Sequence, residues 1–281
     1  MTLTLQSGRR LLPALLALVA LAACSTSASM SPADEAKMAA ALAGEHRSPA
    51  NRARDEWRHP AETLAFFGVT SDSTVMEIWP GGGWYTEVLA PFLRGSGEYI
   101  AAGWDPESDM AFIQNAVAAY NAKLAANPEV YDQVKVAVLM PPMKLAPVPP
   151  NSVDVVVTFR NIHNWMPRES QGLMMQAMYD ALKPGGVLGV VEHRGDPSVP
   201  QDLKAKSGYV NEAYAIEIAE AAGFRFVGKS EVNANPADTK DHPEGVWTLP
   251  PTLRLKDQDR DKYLAIGESD RFTLKFVKPE A

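Results

Sequence analysis

Chemistry in this chain would begin at residues 75–89, Val75-Met-Glu-Ile-Trp-Pro-Gly-Gly-Gly-Trp-Tyr-Thr-Glu-Val-Leu89. An apolar run of strand length (Val75, Met76, Ile78) passes through Gly81, Gly82 and Gly83 into a periodic segment, Tyr85, Val88, Leu89, Phe92, that reads as a helix. Glycine suits a turn whose backbone angles exclude other side chains, and it lets a ligand come close to main-chain N–H groups. A small anionic group could dock there. Asp105 closes a second apolar strand about 20 residues further on, the spacing at which nucleotide-binding α/β folds place a carboxylate on ribose hydroxyls.

The elements that must hold these residues alternate. A strand over residues 97–104 precedes a helix over 107–126 with Met110, Ile113, Val117 and Tyr120 on one face. Strands over 134–139 and 153–159 follow, then a helix carrying Leu173, Met174, Ala177, Met178 and Leu182, then a strand over 187–191. A helix over 212–222, a strand over 224–232 and an alternating strand over 271–277 end the chain. This order implies an α/β fold with a Rossmann-like, mostly parallel seven-stranded sheet, its last strand antiparallel and helices on both faces. Ligands of such sheets sit at the carboxyl ends of the strands. Residues 77–83, Asp105, 160–165 and 192–194 all fall at that rim.

Apolar residues make up 46% of the chain and charged ones 22%, values of a protein able to bury a sizeable core. The net charge of -7, with no basic block, argues against a nucleic-acid surface. Arg9 and Arg10 precede an apolar run over 11–23, shorter than the roughly 20 residues of a membrane-spanning helix. It ends in Leu21-Ala-Ala-Cys24, which resembles the lipobox of bacterial lipoproteins. Residues 1–23 are therefore expected to be a signal peptide, and Cys24, the only cysteine, to carry lipid. Ser25 then suggests the periplasmic face of the outer membrane.

Residues 24–60 read as a tether and a helical extension, with Ser31 capping a helix that starts at Pro32. Arg54, Asp55, Arg58 and His59 within it are either a solvated helix face or a cover over the site. A domain over 61–281 follows, with a lid-like insertion over 235–269 that Trp247, Leu249, Leu253 and Leu255 mark as packed.

Taken together, the residues resemble the class I S-adenosylmethionine (SAM) methyltransferases. The resemblance rests on Val75-Met-Glu-Ile-Trp-Pro-Gly-Gly-Gly83, on Asp105, and on Ala181-Leu-Lys-Pro-Gly-Gly-Val-Leu188. Within that superfamily, residues 156–162 look like the ubiquinone and menaquinone C-methyltransferases. The Pro-Gly-Gly-Gly-Trp-Tyr turn looks like a group of exported methyltransferases.

The resemblance implies SAM as cofactor, with Gly81, Gly82 and Gly83 at its methionyl end, Asp105 on the ribose and Glu77 ordering the loop. Arg160 and Asn161 would join the cofactor site, Arg160 having Asp154 and Glu192 as alternative partners. His163 and His193 are the candidate bases for proton removal, while His59 and His242 lie in the covers. His163 and His193 follow no familiar metal-ligand spacing, and no metal site is expected.

One position departs from the family: Trp79 stands where glycine is usual. The expected function is SAM-dependent methyl transfer to a small or lipid-like acceptor by an envelope-anchored protein. The alternative is a non-catalytic envelope lipoprotein that keeps the fold, suggested by Trp79 and by the cytoplasmic origin of SAM. An NAD-dependent oxidoreductase would want glycine three residues beyond Gly83, where Thr86 stands.

Overall fold

The computed structural model describes residues 30–280; the segment expected to be a signal peptide, and Cys24, lie outside them. The helices are α1 (Pro32–Ala43), α2 (Pro49–Arg52), α3 (Asp55–Arg58), α4 (Pro60–Phe67), α5 (Thr86–Leu93), α6 (Ala111–Ala126), α7 (Pro128–Tyr131), α8 (Ile162–Trp165), α9 (Gln171–Ala181), α10 (Glu212–Ala221) and α11 (Arg260–Ile266). The strands are β1 (Thr74–Ile78), β2 (Glu98–Gly103), β3 (Lys135–Val138), β4 (Val153–Phe159), β5 (Leu182–His193), β6 (Arg225–Ser230) and β7 (Arg271–Val277).

They form one seven-stranded sheet in the order β3-β2-β1-β4-β5-β7-β6. Strands β1 to β5 pair in parallel, and β7 runs antiparallel between β5 and β6. This is the Rossmann-like α/β arrangement that the alternation implied. The apolar runs are near-continuous because both faces of the sheet are covered. Met76, Ile78, Val156 and Leu188 pack on Met174, Met175 and Met178 of α9. Val75, Val155 and Val157 face Leu64 and Phe67 of α4 and Val88, Leu89 and Phe92 of α5. The Phe67 ring lies so close to β5 that a Cβ on Gly189 would stand 2.5 Å from it, so only glycine fits there.

Helix α1 begins as its sequence dictates: the Ser31 hydroxyl accepts the Asp34 N–H at 3.1 Å, and Pro32 occupies the first turn. Helix α6 starts at Ala111, later than residue 107, because Asp105 folds the chain into a turn. Its side chain takes the Glu107 N–H and its carbonyl the Ser108 N–H, both at 3.1 Å. Residues 235–269 hold a 3-10 turn (Gly245–Thr248) and α11, pinned through the buried Asp238. That carboxylate accepts from Tyr209 at 2.8 Å, from the Asp270 N–H at 2.8 Å, and pairs with His242 at 2.9 Å.

Strand β1 lies between β2 and β4, so the chain leaves it toward one edge and later returns on the other side. The loops diverge at that point and leave a crevice at the carboxyl ends of β1 and β4.

Candidate active site

A cavity of about 410 Å³ occupies this crevice. Its floor is the turn after β1, its far wall the exits of β4 and β5, and its roof comes from α2, α3 and residues 246–252.

On the floor, Gly81 and Gly82 face open space: a Cβ on either would meet nothing within 4 Å. Such a bare backbone is a cradle for a ligand. A Cβ on Gly83, at φ 74°, would stand 3.1 Å from Tyr120 and Lys123 of α6, so this glycine lets the turn pack and does not line the cavity. Glu77 is buried beneath the cradle and accepts the Tyr99 hydroxyl at 2.5 Å. Tyr99 in turn shares Thr86 Oγ1 with Tyr120, at 2.8 and 3.0 Å. Burial pushes the Glu77 carboxyl up to about 7, against the opposing pull of Tyr99 and the arginines Arg160 and Arg58.

Trp79 takes φ 47°, the left-handed conformation that makes glycine the usual occupant. Its indole Nε1 donates to the Leu139 carbonyl at 2.8 Å, and its ring sits edge-on to Trp104 and Trp165. It touches three hollows at once: the main cavity, a small one toward β2, and a third of about 310 Å³ walled by Trp104, Phe112 and Met140. The indole therefore partitions the crevice.

On the far wall, Asn161 donates to the Ile78 carbonyl at 2.8 Å and to Thr158 Oγ1 at 3.2 Å, tying the β4 exit to the β1 exit. Arg160 is held at φ 62°, at a cost of about 1–2 kcal/mol for a residue with a side chain. It pairs with neither Asp154 nor Glu192. Asp154 is taken by Lys183 at 2.6 Å and the Thr74 N–H at 2.9 Å. Glu192, fully buried, accepts His163 Nδ1 at 3.0 Å and the N–H groups of His163 and His193 at 3.3 and 2.8 Å.

His193 pairs with Ser269 Oγ at 2.5 Å, and its ring centroid is 5.3 Å from that of His163. Burial, with His163, Arg271, Arg160 and Arg58 around it, holds His193 well below its ordinary titration range, so it is neutral near pH 7. These surroundings disfavour the imidazolium, so the neutral ring can take up a proton only where a counter-charge enters the cavity. His163, Glu192 and His193 also place donor atoms within 4.8 Å of one another, closer together than their sequence spacing suggested. The cations beside them oppose a metal ion.

The roof is held by charge. Arg54, Arg58 and Arg271 converge on the buried Glu268, the first two with Nε at 2.5 and 3.3 Å from its oxygens. Arg58 also stacks over Trp84 at 4.6 Å, next to the glycine turn. Of the residues in doubt, Arg54 and Arg58 thus belong to the cover, while Asp55 pairs with Arg47 at 2.7 Å. Trp247, 6.0 Å from the His163 ring, completes the roof from the insertion.

The cavity thus unites Glu77, Gly81, Gly82, Arg160, Asn161, His163 and His193. It leaves out His59, His242 and Asp105, whose carboxylate pairs with Lys144 at 2.8 Å. The sequence reading missed Arg271 and Glu268; the only local signal was an acidic and basic cluster, Glu268-Ser-Asp-Arg271, just ahead of β7.

Residues 77–190 match the family described as "Methyltransferase domain". No curated protein matches the chain. Among solved structures it is similar to a SAM-dependent methyltransferase from Aquifex aeolicus, with TM-score 0.54 and 17% identity over 82% of this chain and 94% of that one. The cyclase SpnF aligns with TM-score 0.57 and 16% identity over 85% and 86% of the two chains. Phosphoethanolamine N-methyltransferase 2 of Haemonchus contortus, solved with SAM, gives 0.53 and 17% over 80% and 53%. Sheet order, glycine turn and family match agree: the chain has the fold of the class I SAM-dependent methyltransferases, and its residues 77–190 match a methyltransferase domain.

Proposed function

We propose that this protein transfers a methyl group from SAM to a small or lipid-like acceptor, in the cell envelope, where Cys24 anchors it to the periplasmic face of the outer membrane. One observation carries the catalytic part. The open cradle of Gly81 and Gly82 shares a single cavity with a neutral, buried His193. Gly81, Gly82 and Glu77 would hold the methionyl end of SAM, which supplies an electrophilic methyl group. Asp105 would reach the ribose by exchanging Lys144 for its hydroxyls.

The protein's own contribution is alignment of nucleophile, carbon and sulfur, with His193 or His163 receiving a proton when the acceptor atom carries one. The anchoring part rests on the lipobox-like end of the apolar run before Cys24. Isothermal titration of the full chain with SAM and S-adenosylhomocysteine tests the first part. Absence of heat and of any thermal shift at millimolar ligand would sink it. Palmitate labelling that survives Cys24→Ser would sink the second.

A second reading has one observation in its favour. Trp79 walls the main cavity off from the hollow beside Trp104, where a bound nucleoside would need room. On that reading the protein is a non-catalytic envelope lipoprotein. It predicts that Asp105→Ala leaves the cellular phenotype unchanged and that no SAM accompanies the protein from the membrane fraction.

A further inference from the structure

Four arginines meet the main cavity, Arg54, Arg58, Arg160 and Arg271, and Glu77 is the only acid among the described residues that line it. Arg54, Arg58 and Arg271 share the single carboxylate of Glu268 behind the wall. Arg160 makes no ion pair or side-chain hydrogen bond among the described residues, and both acids within reach in sequence are engaged elsewhere. A guanidinium drawn partly out of water with Glu268 and Glu192 near it but no acid directly paired to it is unfavourable, and here it is kept on a left-handed backbone as well. Its five donors form a fork suited to a carboxylate or a phosphate.

The opposite reading of this wall is a cation site at His163, Glu192 and His193. It fails on two counts. Both Glu192 oxygens already accept hydrogen bonds, from the N–H groups of His163 and His193 and from His163 Nδ1. Arg58, Arg160 and Arg271 bear on His193 and repel a cation. The field that refuses a cation attracts an anion.

We infer that the acceptor is anionic, a small carboxylate- or phosphate-bearing molecule whose charged group is received by Arg160, with Arg58 and Arg271 reinforcing the field. This rests on the methyl-transfer reading of the same cavity. Held at the glycine cradle, SAM would bring its positive sulfonium into the same cavity as these arginines, and an anion bound at Arg160 would offset the repulsion. Anion and SAM therefore bind cooperatively, and the coupling is reciprocal.

The test uses the full chain, titrated with inorganic phosphate or malonate against chloride at matched ionic strength, with and without S-adenosylhomocysteine and SAM. The variants are Arg160→Gly, which relieves the backbone and keeps the fold, and Arg160→Lys, which keeps the charge and loses the fork. One of the two anions is expected to bind, and its preference over the other identifies the acid. Arg160→Gly should weaken it roughly tenfold or more, Arg160→Lys less, with S-adenosylhomocysteine binding unchanged. The anion should also tighten SAM.

The inference is overturned if neither anion exceeds chloride. It is equally overturned if Arg160→Gly weakens S-adenosylhomocysteine and spares the anion, since Arg160 would then serve the cofactor. If wild type binds anion through Arg160 but neither SAM nor S-adenosylhomocysteine, the anion site stands and the methyl-transfer reading falls.

Discussion

The Tyr99 hydroxyl donates to the Glu77 carboxylate at 2.5 Å, directly beneath the glycine cradle. Glu77 is 3% exposed and titrates at about 7, raised by burial from an ordinary 4.5. Between those values the folded carboxyl keeps a proton that the unfolded chain has lost. Stability therefore falls as pH rises from about 4.5 to 7, by on the order of 3 kcal/mol. Glu77→Gln should flatten that part of the profile, measured by urea denaturation across the range. SAM affinity in wild type should rise as pH passes 7, because the ionised carboxylate meets the cofactor's ammonium.

Glu268 is the shared partner of three arginines. Burial works to raise its carboxyl, but Arg271, Arg58 and Arg54 outweigh that and hold it well below the usual carboxylate range. Its contribution is fully present above about pH 4.5 and is lost as pH falls further. Glu268→Gln leaves three cations without a counter-charge and should cost about 3–5 kcal/mol. Thermal denaturation gives the magnitude. Hydrogen exchange should speed up first in α2 and α3.

His193 is neutral because it is buried among cations, and it should stay so well below pH 6.5. Activity should thus show no loss from its protonation between pH 8 and 6.5. His193→Gln should lower kcat by roughly 10²- to 10⁴-fold while leaving S-adenosylhomocysteine affinity near the wild-type value. An equal loss of affinity would mean that the ring holds the cofactor and does not take a proton.

Trp79→Gly sets two effects against each other. It relieves a left-handed φ of 47° but removes the indole from Leu139, Trp104 and Trp165, for a net loss of about 1–2 kcal/mol. Opening the partition should strengthen SAM binding. A weaker binding constant by calorimetry would make the indole part of the binding wall.

The seven strands were legible because burial on two faces writes itself into the sequence as apolar runs such as residues 153–159. The cradle was legible because Gly81, Gly82 and Gly83 occur where a strand must turn. The charge pairing was not. Asp105 stands two residues beyond the end of β2 and not within the strand, and its partner Lys144 comes from the loop after β3. Arg160 looked as suited to pairing with Asp154 or Glu192 as to touching a ligand, and only the fold shows both acids committed to Lys183 and His163. Positive φ at Arg160 leaves no mark on sequence, since no glycine announces it.

Arg54 and Glu268 meet across a separation of 214 residues, and Arg58 and Glu268 across 210. During synthesis the first segment of the roof therefore emerges long before its anchor. The floor and far wall can be in place by β5, but the roof is anchored only when the residues just ahead of β7 arrive. A ribosome-stalled or truncated chain ending before residue 268 would hold an open trough with two arginines, Arg54 and Arg58, in search of a carboxylate. An anchored roof over the cavity is, in time, the last property this chain acquires.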